Sequence, residues 1–448
     1  MTNDKDGREL VLDMLLQVIE GDEFGHRVLG RTLSNYQDKD KQERAFISRL
    51  FIGTIKHYLT LDYVIEQFSS LPISKMKPLI RNLLRLSVYQ LLYMDKVPAS
   101  AVCNEAVKLA KKRGFIKLSG FVNANLRNIA RMGDIKYPDR DKNVIEYLSI
   151  RYSTPRWIVS TLLDQYSLTS VETMLEASLR ENEITIRCNR MKTTPDILKD
   201  KLIGEGVGVI EHPYLKEAFV IRDIDYLEGL AAFNDGLFTV QDVSSMLVGE
   251  VSGAKDTDFV VDVCAAPGGK ALHIAEKAGM VSARDLTDYK IKLIEENKLR
   301  MGIHNIETKV WDATVLDPDI IDKADIVIAD LPCSGLGVLG KKYDIKYKLT
   351  QNQQKELIEL QRNILKVVSE YVKPGGILIY STCTVNRQEN IDNMEWFLAN
   401  HDFATDSLDS YLPLALHSDT TRAGYLQLLQ GIHPTDGFFI CRMRKESR

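Results

Sequence analysis

Apolar residues recur three or four positions apart from residue 8 to about 132, so the first third of the chain reads as amphipathic helices. Segment 8–20 has apolar residues at helical spacing, and 44–67 is a long amphipathic stretch. Segment 78–94 is apolar almost all round, which predicts a buried central helix. Segment 98–113 starts at Pro98 and stops at Gly114, as a helix should. The Pro- and charge-rich stretch from Lys136 to Lys142 reads as a linker. Between 144 and 235 the pattern is mixed. Helical segments at 144–152, 155–165 and 195–204 surround an alternating run at 184–189, and a strand-like stretch follows at 218–221. From about 236, strands at 259–263, 280–286, 307–311, 325–329 and 376–380 alternate with helical segments, the spacing of a parallel α/β sheet. A late strand follows at 437–443. The expected organisation is multidomain: an all-α domain over 1–140, a small α+β connector over 141–235, and an α/β domain over 236–448.

Composition adds limits. At 448 residues, 44% hydrophobic and 27% charged, the chain suits a soluble globular protein with sizeable cores. No apolar run approaches the roughly 20 residues of a membrane helix. The polar start, Met1 to Asp6, predicts no secretory signal. Six cysteines without a Cys-x-x-Cys pair fit reduced thiols in a cytoplasm. The eight histidines make no ligand spacing, so no metal is expected. The net charge of −4 hides an asymmetry: +7 over residues 1–140 and −11 over the rest. Lys108, Lys111, Lys112, Arg113, Lys117, Arg127 and Arg131 form a basic run without an acid, the footprint of a polyanion such as nucleic acid. A solvated helix face is the competing reading.

The chemistry gathers at strand ends. Cys333 closes Asp330-Leu331-Pro332-Cys333 after one predicted strand, and Cys383 closes Ser381-Thr382-Cys383 after another. Upstream, an apolar strand runs into Cys264-Ala265-Ala266-Pro267-Gly268-Gly269-Lys270. Ligands of open α/β sheets sit outside the carboxyl ends of the strands, so these segments share one crevice. The loop is neither a P-loop nor Gly-x-Gly-x-x-Gly, yet its paired glycines allow backbone to approach a ligand. Asp285, about 20 residues downstream, stands where a ribose-binding acid belongs, and Asp312 where an acceptor for an adenine amino group would. A cofactor loop, an acid (Asp330) and two thiols suggest covalent catalysis on an electron-poor ring. Spacing assigns the attack to neither thiol.

Residues 262–270 with Asp285, Asp312, Asp330 to Cys333, and Ser381 to Cys383 resemble the RNA cytosine-5 methyltransferases. The likeness extends to the RsmB (Sun) branch through the 241–246 segment, Asp344-Ile345-Lys346-Tyr347 and Asp436-Gly437-Phe438-Phe439, and to a NusB-like domain through the N-terminal helices. It implies a Rossmann-like class I fold and S-adenosylmethionine as cofactor, held by Cys264, Ala265, Ala266, Pro267, Gly268, Gly269, Lys270, Asp285, Asp312 and Asp330. It makes Cys383 the nucleophile, Cys333 the release residue and Asp330 the acid or orienting group. The implied partner is small-subunit ribosomal RNA, contacted by the basic run and by Lys346, with no protein partner. Two alternatives stay open: a transfer RNA substrate, and an RNA-binding assembly factor with a vestigial enzyme domain.

Overall fold

A computed structural model describes residues 6–36 and 40–447. The polar start before Asp6 therefore lies outside the described residues. The chain divides into two compact units, one of residues 1–180 with 339–348, the other of 181–338 with 349–448. The expected connector is thus shared: its helices before residue 181 fall in the first unit, and its strands, with helix Pro195–Gly204, in the second. Among the described residues no helix is long and apolar enough to cross a membrane.

Among the described residues the first unit is all helical around Pro78–Tyr93, whose Leu83, Leu84, Leu86 and Val88 are buried in one core with Leu12, Leu50, Phe51, Val64 and Leu126. Proline at its first turn costs nothing, because that N–H has no intrahelical acceptor. The long amphipathic stretch over 44–67 forms two helices, Lys41–Lys56 and Tyr58–Phe68, separated at His57 (φ −100°, ψ 15°), whose ring stacks on Tyr93 at 4.1 Å. Lys346, expected on RNA, is 1% exposed. The short helix Ile345–Lys348 belongs to this unit, and the Lys346 ammonium lies 3.5 Å from the carbonyls of Lys56 and Tyr152.

The second unit holds two sheets. Strands β1 (Ile184–Cys188), β2 (Gly208–Glu211), β3 (Ala218–Arg222) and β4 (Phe238–Val240) form an antiparallel sheet in the order β2-β3-β1-β4. The larger sheet contains β5 (Phe259–Asp262), β6 (Met280–Asp285), β7 (Ile306–Val310), β8 (Ala324–Asp330), β9 (Val372–Thr382), β10 (Phe403–Thr405), β11 (Tyr425–Leu428) and β12 (Phe438–Lys445). Its order is β10-β12-β9-β8-β5-β6-β7, with β11 on β12. Strands β5 to β9 run parallel, and β12 returns antiparallel along β9, pairing Phe439 with Thr382. Helices on both faces require two-sided apolar strands, and Val260, Val261, Val327 and Ile328 are accordingly all buried. The chain proceeds outward from β5 through β6 and β7, then returns to the other side through β8 and β9. The switch point therefore lies between β5 and β8, where a crevice opens at the carboxyl ends.

Candidate active site

Each parallel strand delivers one functional group to that crevice. Asp262 ends β5 and is buried; its Oδ1 accepts from Cys264 N at 3.3 Å, while its Oδ2 has no hydrogen-bond partner. Burial, and then the charge of Asp330, push its carboxyl up to about 7. The loop that follows folds on itself through Gly268 N to Ala265 O (2.7 Å), with Gly268 at φ 105°, a conformation open to glycine. Helix Gly269–Ala275 then starts immediately. Asp285, at the end of β6, accepts from Ala266 N (3.0 Å), Leu286 N (2.7 Å) and the Lys290 ammonium (2.8 Å), so it ties the loop to the neighbouring strand. Asp312, beyond β7, is exposed; its Oδ1 accepts from Thr314 N and Oγ1, the hydroxyl first among the influences that lower its pKa.

Asp330, at the end of β8, accepts from Lys270 Nζ at 2.6 Å and from Ser381 Oγ at 2.8 Å. Lys270 is buried deeply enough to disfavour its ammonium, but the charge and hydrogen bond of Asp330 outweigh this and hold its pKa above the ordinary value. Cys333 and Cys383 follow β8 and β9, and their sulfurs stand 3.3 Å apart. The hydrogen bond with Cys383, and then burial, raise the Cys333 thiol well above its usual range. Backbone bonds close this corner: Gly337 N donates to Cys383 O (3.1 Å), and Gly437 N to Gly337 O (2.9 Å). Cys264 sits in the loop with its thiol pushed up by burial and by Asp262, which suits a backbone contribution from this residue. Cys103, Cys188 and Cys441 are buried.

The expected cofactor loop, acids and thiols therefore share one side of one sheet. Four residues there had no role assigned from the sequence: Asp262, Ser381, Glu389 and Gln361. Asp262, a lone acid in an apolar strand, and Ser381, inside the Ser381-Thr382-Cys383 motif, carried a signal, and Glu389 and Gln361 carried none. In the first unit, Lys111, Lys117, Arg127 and Arg131 are exposed. The three other members of the basic run form ion pairs, Lys108 with Glu105 (2.8 Å) and Lys112 with Glu9 (2.5 Å) while still exposed, and the half-buried Arg113 with Asp13 (2.6 Å). A separate group in the second unit, Glu217, Glu250 and His273, is close enough to hold a metal ion, but the Lys277 ammonium already lies 2.7 Å from Glu250.

Comparison with known proteins covers nearly the whole chain. Residues 251–444 match the 16S rRNA methyltransferase RsmB/F family, 5–131 the NusB family, and 154–224 the ferredoxin-like domain of RsmF/B-like methyltransferases. The probable ribosomal RNA small subunit methyltransferase B of Bacillus subtilis is 35% identical over 98% of both chains. Its counterpart in Synechocystis is 30% identical over 98% of this chain and 99% of its own. The crystal structure of PH0851 superposes with a TM-score of 0.83 at 24% identity, covering 99% of this chain and 100% of that one. NSun6 from Pyrococcus horikoshii, solved with SFG, superposes with a TM-score of 0.58 at 22% identity, over 66% of this chain and 99% of its own. These matches span the helical, ferredoxin-like and sheet regions alike, and the chain belongs to the 16S rRNA methyltransferase RsmB/F family.

Proposed function

We propose that this protein methylates C5 of a cytosine in small-subunit (16S) ribosomal RNA, with S-adenosylmethionine as methyl donor and a transient bond between Cys383 and C6 of the base. The observation that carries this reading is the pair of sulfurs 3.3 Å apart beside the Lys270–Asp330 ion pair, at the switch point of the sheet. The names of the relatives supply the substrate class.

The chemistry follows from the base. Cytosine C5 is a weak nucleophile, and addition of a thiolate to C6 makes it enamine-like, splitting one hard step into easier ones. Of the two sulfurs in contact, the resemblance to the RNA cytosine-5 methyltransferases makes Cys383 the one that attacks and Cys333 the one that assists release. Asp330, steadied by Lys270 and Ser381, orients the pyrimidine along its N3/O2 edge. S-adenosylmethionine, when bound, supplies an electrophilic methyl group. The residues present fit it: Oδ2 of Asp262, buried and without a hydrogen-bond partner, suits the ammonium of its amino-acid end, and the backbone of Cys264 to Lys270 and Gly268 φ of 105° suit close approach. Asp285 suits the ribose hydroxyls, and Asp312 the adenine amino group. After transfer the C5 proton leaves and the C6–S bond breaks, its electron pair returning to Cys383 while Cys333 assists. The target base must first be turned out of any stack, and the basic helices over 1–140 hold the surrounding RNA through phosphates.

The test is a denaturing gel of Cys333→Ala with S-adenosylmethionine and unmodified small-subunit ribosomal RNA, with Cys383→Ala and transfer RNA alongside. A protein–RNA band is expected only for Cys333→Ala with ribosomal RNA. A band with Cys383→Ala instead reverses the two roles. No band for either variant, together with no methyl transfer by the wild type, sinks the reading.

A further inference from the structure

Glu389 lies in the short turn Arg387–Glu389 beyond Cys383, and it is fully buried. A buried carboxyl needs a reason, because burying a charge without partners is costly. Four donors converge on it. Oε1 accepts from Ser334 Oγ and from Asn386 Nδ2 (3.0 Å); Oε2 accepts from Ser334 N (2.8 Å) and from Gln361 Nε2 (3.1 Å). Ser334 is the residue after Cys333. Gln361 also donates to the carbonyl of Pro332, the residue before Cys333, at 2.9 Å. Cys333 is therefore gripped on both sides by a network centred on Glu389.

The next residue does the same for the other thiol. Asn390 accepts from Thr382 Oγ1 at 2.5 Å and donates to Thr384 O at 3.0 Å, the two neighbours of Cys383. Thr384 Oγ1 also meets Ser334 Oγ at 2.8 Å, joining the two halves. Both residues are 0% exposed, so water does not substitute for these bonds.

Resting on the reading of Cys383 and Cys333 as the reacting thiols, we propose that Glu389, with Asn390, is the positioning residue that sets the spacing of the two sulfurs. Glu389 acts through the two loops and touches neither base nor cofactor. Its requirement is chemical as well as steric. Glu389→Gln keeps the shape but points its amide N–H groups at the Asn386 donor and at Ser334 Oγ, and of these two only the Ser334 hydroxyl can turn its proton elsewhere, to Thr384 Oγ1. Asn386→Asp in the same chain turns that donor into an acceptor and restores the match, leaving Ser334 N and Gln361 on the amide oxygen.

The experiment reads the thiol pair directly. Wild type, Glu389→Gln and the double variant Glu389→Gln/Asn386→Asp are treated with diamide, which takes two electrons and two protons from Cys333 and Cys383 to form a disulfide and becomes the hydrazine. Mass spectrometry of the linked peptide gives the rate of closure, and steady-state methylation gives kcat and KM. Closure is expected to slow about 10-fold or more in Glu389→Gln and to recover in the double variant. The value of kcat is expected to fall by up to roughly 100-fold, the scale of a 1 Å misplacement, with the KM for S-adenosylmethionine unchanged. Closure in Glu389→Gln within twofold of wild type overturns the proposal, as does a double variant slower than the single one. Should Glu389→Gln fail to fold, Gln361→Leu removes only the Pro332 arm. Slower closure there supports the proposal, and unchanged closure overturns it. Closure needs no RNA. Glu389-dependent closure in a protein that never methylates therefore upholds the positioning role while the cytosine reading fails.

Discussion

Asp262 carries the sharpest conflict between stability and use at the scale of a single residue. Its carboxyl is buried, Oδ2 has no partner, and desolvation together with Asp330 raises its pKa from 3.8 to about 7. Between those values the folded chain binds more protons than the unfolded one, so stability falls as pH rises through this window. A pKa difference of one between the two states corresponds to ~1.4 kcal/mol, so the cost above pH 7 reaches a few kcal/mol. Asp262→Asn keeps Oδ1 for Cys264 N and removes the charge. It is expected to unfold at higher temperature than wild type above pH 6, with the gap closing toward pH 4, while its affinity for S-adenosylmethionine falls. Thermal melts at stepped pH with a cofactor titration check both. A wild type whose melting temperature is flat from pH 4 to 7.5 contradicts the first part. The thiols and the glycine loop were legible because rare residue types ended apolar runs. Glu389 and Asn390 were not: Arg387-Gln388-Glu389-Asn390 reads as an ordinary polar turn, and only the three-dimensional arrangement shows four donors waiting for that carboxyl.

At the scale of elements, alternation and periodicity located the central helix and the long strands within a residue or two, because each has one repeated environment, except that β9 begins at Val372, four residues before the expected start at Gly376. Strands β2, β4, β10 and β11 span three or four residues and show no period. The segment around Lys346 misled for a different reason. Its charge reads as surface, but the short helix Ile345–Lys348 carries it into the core of the helical unit, where Tyr343 is also buried. Burial, and then the nearby Lys56, lower the Lys346 pKa to about 7, and Lys346 in turn helps keep His57 neutral. The unfolded chain holds the Lys346 proton up to about pH 10.4, so this residue's contribution to stability is present above that value and is lost as pH falls toward 7. Lys346→Met matches the stem without the charge. It is expected to raise the stability of the helical unit by about 1–3 kcal/mol near pH 7, with the advantage shrinking as pH rises toward 10. Denaturant titrations at pH 7 and 9.5 measure this, and equal gains at both values would place the effect in packing instead of charge.

At the scale of the whole chain, charge separates what fold does not. The excess of +7 over residues 1–140 against −11 elsewhere was legible from the sequence, but which cations are available to a polyanion was not, because acids far away in sequence engage some of them. Glu9 is 5% exposed and is met by Lys112 and Arg113. Removing those two cations strands a buried acceptor, at a cost of about 1–3 kcal/mol. Lys111, Lys117, Arg127 and Arg131 are exposed on the same run. Replacing these four with Gln is expected to weaken binding of ribosomal RNA and to flatten the plot of log K against log salt. The slope should fall by ~0.7 to ~0.9 for each phosphate that is no longer neutralised, with no change in melting temperature. Replacing Lys112 and Arg113 is expected to do the reverse, lowering the melting temperature with a smaller change of slope. Filter binding from 50 to 300 mM salt, run beside thermal melts of the same six-substitution set split in this way, separates the two groups. If the salt slope is the same for both groups and wild type, the RNA is held by other residues and the charge run is only a solvated face.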